Sequence, residues 1–410
     1  MNIFQLPQNI KLRLITSFFN RMASNSVMPF MALFFTQEKN KIYAGIILVI
    51  SVAVSFISGI IGGYLADCFK RKHLLYWTST IAPTFLLIMT LCLIPEKRPI
   101  YLFAVIYLLF IFSNNLGRPA LEAIILDSST PKNRKAIYTL EYGLTNLSIS
   151  LGAILGGLLY INHQILLFAI LTIITYGISV AYFIWLEDEQ VSVRKKTNDN
   201  MFIDLLQSYQ TALMDKRFVQ LVLGFMFVFT AERSLSSYIS VRLKETFDTI
   251  SIFNFEIEGV RMYSILNVEN TLLVVCFTFL IANLTKSLSN KKILLIGLIL
   301  YGIGYSLITS ANNFFVLILL GFIATLGELL YSPVFNTEQA NCIPEDQRGS
   351  YLAFSSLSFN GATLLSNASL ILGAYLLPWQ MSIWIAIIIF LGIFIMYHGL
   401  YYVKKREQFA

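Results

Sequence analysis

The chain has 410 residues, of which 56% are hydrophobic and only 13% are charged, and its formal net charge is +7. A soluble domain carries about 25% charged residues, so this composition excludes an ordinary soluble protein and indicates a chain that folds in lipid. Basic loops that face anionic lipid head groups account for the positive charge, and no nucleic-acid partner is needed to explain it.

Twelve apolar runs follow one another along the chain. A helix needs about 20 mostly apolar residues to cross a membrane, and each run approaches or exceeds that length. The runs lie at about 12–36, 43–66, 73–94, 100–121, 135–160, 164–186, 217–241, 262–284, 291–310, 314–336, 348–376 and 379–402. The first run has no cleavage site behind it and is predicted to be a retained span, not a signal peptide. We therefore expect an all-α integral membrane protein with twelve transmembrane helices.

The Lys and Arg residues are distributed unevenly between the connections on the two sides of the membrane. Most of the 30 fall in connections on the side of the N-terminus. The opposite side holds only Lys39, Lys41, Lys97, Arg98, Arg242, Lys244 and Arg261. Cytoplasmic loops are the ones enriched in Lys and Arg. The sequence thus predicts a multi-pass protein of a bacterial cell membrane, with both termini in the cytoplasm.

A long connection at 187–216 divides the chain into two halves of six predicted spans, 1–186 and 217–410. The connection is charged at its start and then carries apolar residues at helical spacing from Met201 to Leu213. This second part predicts an amphipathic helix that lies in the cytoplasmic interface.

The two halves share landmarks at matching distances. Pro131 and Tyr138 of the first half recur as Pro344 and Tyr351 in the second, both shifted by the same number of residues. Such internal repeats predict two pseudo-symmetric six-helix bundles with a substrate cavity between them.

The end of the second predicted span resembles the loop signature between spans 2 and 3 of the major facilitator superfamily. Asp67 and the basic pair Arg71 and Lys72 match that signature, whereas Cys68 replaces its arginine and Lys70 its glycine. The resemblance implies a conformational latch. In such a latch, an acid at a helix end faces basic residues and stabilises one of two packing arrangements of the two halves.

Small residues in the fifth span resemble the antiporter motif of the drug-exporting members. The motif residues here are Gly152, Gly156 and Gly157, with Ala153 in place of a proline. Small residues at this spacing let helices approach closely, so plain helix packing is an equal explanation.

Further stretches narrow the resemblance. The segments 247–262 and Thr325 to Pro333, with the pairs Leu126-Asp127 and Glu141-Tyr142, resemble multidrug/proton antiporters of the LmrP type over essentially the whole chain. The resemblance implies a secondary active exporter (an antiporter) of amphiphilic or lipophilic compounds. It also implies alternating access driven by the proton motive force, with protons as the coupling ion and no cofactor.

Charged residues lie within or at the edge of several apolar runs. They are Arg21, Arg118, Glu122, Glu141, Glu232, Arg233 and Glu328. An ionised group at the middle of a membrane costs about 2.5–3.5 kcal/mol on insertion scales. These residues therefore need a wet cavity, a partner of opposite charge, or a proton. Acids that take up and release protons are what proton coupling requires.

The resemblance assigns proton coupling to Glu328 in the tenth span and Glu141 in the fifth. Asp127, at the end of the fourth span, matches another family acid, and a contact with nearby basic residues explains it equally well. In the seventh span the family's acid position holds Ser236. Glu232 lies one turn earlier on the same face, so it either substitutes for that acid or pairs locally.

The arginines bear on the charge of the substrate. Arg118 and Glu122 are four residues apart and suit an intrahelical ion pair. Alternatively, Arg118 lines the substrate cavity with Arg21, Glu141, Glu122 and Glu232, and favours an anionic or zwitterionic ligand. Arg21 and Arg118 argue against substrates that are simply lipophilic cations.

Other functions remain open. The same fold allows a dedicated exporter of one metabolite or lipid, such as a siderophore, peptide or glycolipid, and also a proton-coupled uptake symporter. An enzyme is not expected, because HExxH, GxSxG and GxxxxGK[ST] motifs are missing from the sequence. The four cysteines lack metal-binding spacing. The expected partners are a small amphiphilic substrate, protons and membrane lipids, and we expect a monomer.

Overall fold

The structure, a computed structural model, describes residues 6–128, 131–187, 212–252, 255–285, 287–343 and 348–403. These ranges are almost entirely helical. One short antiparallel hairpin interrupts the helices, with Ile250–Ile252 paired to Phe255–Ile257. Most of the predicted linker at 187–216, including nearly all of its amphipathic stretch, lies outside the described residues.

The chain divides into two compact units. Met1–Glu38 and Ile47–Thr197 form one, called here the N-unit. Lys39–Ile46 and Asn198–Ala410 form the other, the C-unit. The second span therefore begins in the C-unit and continues in the N-unit.

Helices correspond to all six predicted spans of the first half. Span 1 comprises Gln8–Val27 and Met31–Glu38, joined by the 3₁₀ turn Met28–Phe30; span 2 is Lys41–Cys68; span 3 is Arg71–Cys92; span 4 comprises Ile100–Leu116 and Arg118–Ser128; span 5 is Pro131–Leu159; span 6 is Gln164–Trp185. Pro29 lies at the break in span 1, and Pro119 follows the break in span 4. Proline lacks a backbone N–H and disrupts the helical ladder, which explains both breaks.

The second half likewise contains six helical spans. Span 7 comprises Lys216–Ser234, the π-turn Leu235–Ile239 and Ser240–Thr246; span 8 is Gly259–Leu284; span 9 is Asn290–Ile308; span 10 is Phe314–Ala340; span 11 is Arg348–Leu372; span 12 is Pro378–His398, followed by the π-turn Gly399–Val403. Side-chain caps begin two of these spans. Asp215 accepts a hydrogen bond from the Phe218 amide and Asn313 accepts one from the Phe315 amide.

Nine helices in the described ranges are long and apolar enough to cross a membrane, and these are spans 2, 3, 4, 6, 7, 8, 9, 10 and 12. The other three predicted spans are helical as well. Span 1 is divided and carries three basic residues, span 11 is rich in serine and asparagine, and the described side chains of span 5 include the apolar stretch Gly143–Leu159. Membrane helices carry such polar residues where they face the interior of a bundle or a water-filled cavity.

Spans 9 and 10 are packed tightly against each other in the C-unit. A Cβ atom on Gly304 would lie 2.7 Å from the Cβ of Ala324, and one on Gly327 would overlap the backbone of Tyr301. Glycine at position 327 is therefore required by this contact, as expected where two membrane helices approach closely. The contact fixes the position of the next residue, Glu328.

Candidate functional site

Glu141 of span 5 forms ion pairs with two arginines of span 1. Its Oε1 lies 2.8 Å from Nη1 of Arg13 and 3.4 Å from Nη2 of Arg21. Arg13 also donates hydrogen bonds to Ser17 Oγ at 3.1 Å and to the Leu121 carbonyl at 3.2 Å. Its side chain is only 4% exposed, against 15% for Glu141 and 41% for Arg21. Arg13 is thus the buried counter-charge of Glu141.

Arg13 was not among the charged residues identified within the apolar runs, because it was counted with the basic residues of the cytoplasmic side, although the run at 12–36 includes it. The helix begins at Gln8, more than a turn earlier, so Arg13 lies inside it. A signal was present in the sequence. Leu12 and Leu14 flank Arg13 and Ile10 precedes it, and all three are buried.

The glycine motif of span 5 brings Glu141 close to these arginines. A Cβ on Gly152 would lie 2.6 Å from the Met22 carbonyl oxygen, and one on Gly156 the same distance from the Ser26 carbonyl oxygen. The backbone of span 5 therefore contacts span 1 directly at both positions. Gly157 is buried in the same helix. These contacts favour the helix-packing explanation of the motif.

A polar cavity of about 220 Å³ lies inside the N-unit. Arg13, Arg21 and Arg118 line it together with four asparagines, two serines and Leu121. Arg21 and Arg118, which one of the two interpretations of the sequence places at a substrate cavity, both line this cavity. The side chains of Glu122 and Asp127 lie outside the described residues.

In the C-unit, Glu328 of span 10 is hydrogen-bonded to span 8. Asn270 donates from Nδ2 to Oε2 of Glu328 at 2.8 Å and to Oγ1 of Thr325 at 3.1 Å. Glu328 is half-buried. The acid that was the strongest sequence candidate for proton coupling is thus held by a neutral amide.

Glu232 of span 7 meets a cluster of tyrosines. Its Oε2 accepts a hydrogen bond from the Tyr301 hydroxyl at 3.5 Å. The Tyr301 ring packs against Tyr305 and Tyr331 at centroid distances of 4.7 and 5.2 Å. Tyr331 follows Glu328 by three residues, so the rings connect spans 7, 9 and 10 next to both acids. The neighbour of Glu232, Arg233, is exposed, and its guanidinium lies over the Phe229 ring at 4.6 Å.

A third acid of the C-unit, Glu269, was missed by the sequence analysis. It precedes Asn270 in span 8, and its Oε2 is buried and makes no hydrogen bond to any described residue. A Cβ on Gly321 of span 10 would lie 2.6 Å from this oxygen, so the carboxyl group is packed against a glycine. Glu269 lies within the apolar run 262–284, and that position alone should have identified it.

Of the predicted latch, the structure describes only the basic side. Arg71 and Lys72 begin span 3 and are both half-buried, but the side chain of Asp67 lies outside the described residues. The contact between Asp67 and the basic pair stays a prediction.

The sequence profile of the Major Facilitator Superfamily matches residues 13–265 and 221–408. The chain belongs to this superfamily. It is 25% identical over 388 residues, covering 92% of both chains, to the Na(+), Li(+), K(+)/H(+) antiporter of Planococcus maritimus. It is 21% identical over 352 residues, 85% of this chain and 81% of the relative, to the uncharacterized MFS-type transporter YqjV of Bacillus subtilis (strain 168).

Solved structures of POT transporters share the fold. A POT family transporter in complex with a thioalcohol conjugated peptide superposes with a TM-score of 0.72 at 16% identity, over 97% of this chain and 99% of the other. A peptide transporter POT in complex with sulfate gives a TM-score of 0.72 at 16% identity, over 97% and 95%. The predicted fold class, the major facilitator fold of twelve transmembrane helices, is confirmed. The chain is a multi-pass membrane transporter and not an enzyme.

Proposed function

We propose that this major facilitator transporter is a proton-coupled antiporter that exports amphiphilic or lipophilic compounds by alternating access. The observation that carries the proposal is the set of three acids within the spans of the C-unit. Glu328, Glu232 and Glu269 lie on three helices that cross the membrane, and their described contacts are an amide, a tyrosine hydroxyl and a glycine.

These three acids have no basic counter-charge within ion-pair distance among the described side chains. An ionised group in a membrane interior costs about 2.5–3.5 kcal/mol. Binding a proton removes that charge, so such acids are suited to carry protons. The contrast with Glu141 is informative, because an arginine 2.8 Å away compensates the charge of Glu141. We therefore assign proton coupling first to Glu328 and Glu232 of the C-unit.

Export in exchange for protons is supported by two independent lines. The relative from Planococcus maritimus is named a cation/proton antiporter. The segments 247–262 and Thr325 to Pro333, with the pairs Leu126-Asp127 and Glu141-Tyr142, resemble those of multidrug/proton antiporters. Because cytoplasmic loops are enriched in Lys and Arg, we propose that both termini lie in the cytoplasm and that the protein resides in the cell membrane.

A second candidate function is the exchange of alkali cations for protons. The name of the same relative favours it. Glu269 adds a structural reason, because its buried oxygen makes no hydrogen bond within the described structure and it neighbours the amide of Asn270. Hard cations prefer oxygen ligands such as carboxylates and amide carbonyls. In this case the cation and the proton would compete for the same carboxyl groups.

The test uses purified protein in proteoliposomes that contain a pH-sensitive dye, with a pH difference imposed across the membrane. Hoechst dye, ethidium, NaCl and KCl are added separately, and proton movement is recorded for the wild type, Glu328→Gln and Glu258→Gln. Glu258→Gln is the matched control, because Glu258 precedes span 8 and pairs with Lys244 in the last turns of span 7. We expect at least one added compound to move protons in the wild type and the control, and none in Glu328→Gln. Proton coupling would be refuted if substrate flux does not depend on the pH difference and is the same in the wild type and Glu328→Gln.

A further inference from the structure

Spans 9 and 10 carry the same Gly-x-x-x-Tyr pattern. Gly297 and Tyr301 are four residues apart in span 9, and Gly327 and Tyr331 are four apart in span 10. Residues four apart lie on the same face of a helix. Each of the two helices therefore has a glycine and a tyrosine on one face.

Each glycine contacts the backbone at the tyrosine of the other helix. A Cβ atom on Gly297 would lie 2.7 Å from the Tyr331 nitrogen, and one on Gly327 would overlap the Tyr301 backbone. The two tyrosine rings meet at a centroid distance of 5.2 Å, and Tyr301 is fully buried. Because buried side chains in packed interiors have little free space around them, this reciprocal contact fixes the position of Tyr301.

The hydroxyl group of Tyr301 is directed at Glu232 of span 7. It donates a hydrogen bond to Oε2 of Glu232 at 3.5 Å, and the described structure records no other hydrogen bond to this carboxyl group. Hydroxyl hydrogen bonds are usually about 2.5–3.0 Å long. Contacts of functional acids are often longer than this before they act and then shorten.

The surroundings of Glu232 contain few other ionisable groups. Those near it are Arg233 on its own span and, from spans 9 and 10, Tyr301, Tyr305, Tyr331 and Glu328. Arg233 lies over the Phe229 ring and makes no ion pair with Glu232 in the described structure, and Tyr263 of span 8 lies near Arg233. Spans 11 and 12 also pack against span 7, and their segments 352–372 and 378–396 contain no titratable residue. The hydroxyl of Tyr301 is thus the hydrogen-bond partner that the packing supplies.

A hydroxyl group suits an acid that changes its protonation state. It is both a donor and an acceptor of hydrogen bonds. It can donate to an ionised carboxylate, and it can accept from the O–H of a protonated carboxyl group. A buried polar group without a partner costs free energy. Tyr301 can therefore remain bonded to Glu232 before and after a proton is bound.

We propose that Tyr301 is a positioning residue that allows Glu232 to bind and release a proton within the membrane. It acts through Glu232 and does not itself bind the substrate. This inference rests on the proposed function, because it adds a residue to the proton-coupling machinery of the C-unit. Each of the two acids then has its own neutral partner, Asn270 for Glu328 and Tyr301 for Glu232.

The test is infrared spectroscopy of the purified full-length protein in detergent, recorded over a series of pH values. The carbonyl band of a protonated carboxyl group is assigned to Glu232 by its loss in Glu232→Gln. Tyr301→Phe removes the hydroxyl group and keeps the ring. Because hydrogen bonds to charged groups are the stronger ones, this loss destabilises the ionised carboxylate more than the protonated form. We expect the midpoint of the band to move up by about 0.5 pH unit or more, which is about threefold in proton affinity.

A matched control and a second replacement make the test specific. Tyr238 lies further along span 7, is buried and packs against Gly373, so Tyr238→Phe removes a buried hydroxyl group and should leave the midpoint unchanged. Replacing Tyr301 by a fluorotyrosine, with the fluorine next to the hydroxyl group, keeps the hydrogen bond and makes the hydroxyl a stronger donor. This replacement should move the midpoint to lower pH, and it keeps the test decisive if Tyr301→Phe folds poorly.

Two results would overturn the inference. One is an infrared spectrum in which no carboxyl band is lost in Glu232→Gln. The other is a Glu232 midpoint that is the same in the wild type and both Tyr301 replacements, or that Tyr238→Phe shifts as far as Tyr301→Phe does.

Transport measurements separate this inference from the proposed function. In proteoliposomes, Tyr301→Phe should slow proton-driven transport about threefold or more, and it should cause no further loss when added to Glu232→Gln, because residues in contact give non-additive effects. Shifted midpoints in a protein whose wild type moves no protons would refute only the antiport proposal. Proton movement by the wild type with unshifted midpoints would refute only the role of Tyr301.

Discussion

Asn270 in span 8 donates a hydrogen bond to Glu328 in span 10 at 2.8 Å, across 58 positions of the sequence. A neutral amide therefore orients the acid to which we assign proton coupling. A hydrogen bond to a charged group contributes about 1.5–3 kcal/mol, so this contact influences how Glu328 holds and releases its proton.

The first prediction is that Asn270→Ala reduces proton-driven transport about tenfold, because Glu328 loses its donor. Residues in direct contact give non-additive effects. The double variant with Glu328→Gln should therefore transport no more slowly than Glu328→Gln alone. Proteoliposome assays of the single and double variants measure this. Asn267→Ala is the control, because Asn267 lies in the same span and donates to the Tyr263 carbonyl. Fully additive losses would show that Asn270 acts elsewhere.

The second prediction concerns the unequal arginines around Glu141. Breaking a buried ion pair costs about 3–5 kcal/mol because it leaves an uncompensated charge, whereas an exposed pair contributes about 0.2–1 kcal/mol. Arg13→Gln should therefore destabilise the protein far more than Arg21→Gln. Thermal unfolding in detergent measures the difference, and Glu141→Gln added to Arg13→Gln should restore part of the loss. Equal destabilisation by the two arginine variants would contradict the assigned roles.

The third prediction tests the close contact of spans 9 and 10. Gly327→Ala places a methyl group onto the Tyr301 backbone, and overpacking of this kind costs about 1–3 kcal/mol. The variant should unfold at a lower temperature and transport more slowly, because the contact positions Glu328. Gly177→Ala of span 6 is the matched control, because among the described residues no heavy atom beyond its chain neighbours and the adjacent backbone of its own helix lies within 4 Å of the added carbon. If Gly327→Ala is as stable as this control, spans 9 and 10 can move apart without a loss of folding stability.

The fourth prediction separates the two candidate functions through Glu269. If alkali cations are exchanged, Glu269→Gln removes one charged oxygen ligand and should weaken the response to NaCl and KCl at least tenfold. If only amphiphiles are exported, the same variant should leave the dye-induced proton signal within about twofold of the wild type. Concentration series in proteoliposomes measure both responses. Loss of both responses together would place Glu269 in proton coupling itself.

Much of the fold was predictable because membrane insertion depends on a local property. Apolar runs identified every span, and the structure has a helix in each of them. The candidate acids Glu328, Glu232 and Glu141 were identified for the same local reason, since a charge in an apolar run is conspicuous.

The side chains that contact these acids could not be predicted from the sequence, because they depend on which helices pack against each other. Arg13 was counted with a loop, yet it is the buried counter-charge of Glu141. Glu269 was overlooked. Asn270 was not a candidate, because only charged residues within the apolar runs were considered and its amide is neutral. The pairs formed by these residues join spans that are distant in the sequence.

The sequence by itself determined the number of spans, the superfamily motifs and the presence of acids within the membrane, because each follows from residues that are close along the chain. Only the tertiary structure decided which acids have a basic counter-charge. The close approach of span 5 to span 1 gives Glu141 two arginines, whereas the packing of spans 8, 9 and 10 surrounds Glu328 with an amide and tyrosines. An acid without a cationic partner can change its charge by binding a proton. Whether an acid has such a partner depends on which helices pack against each other.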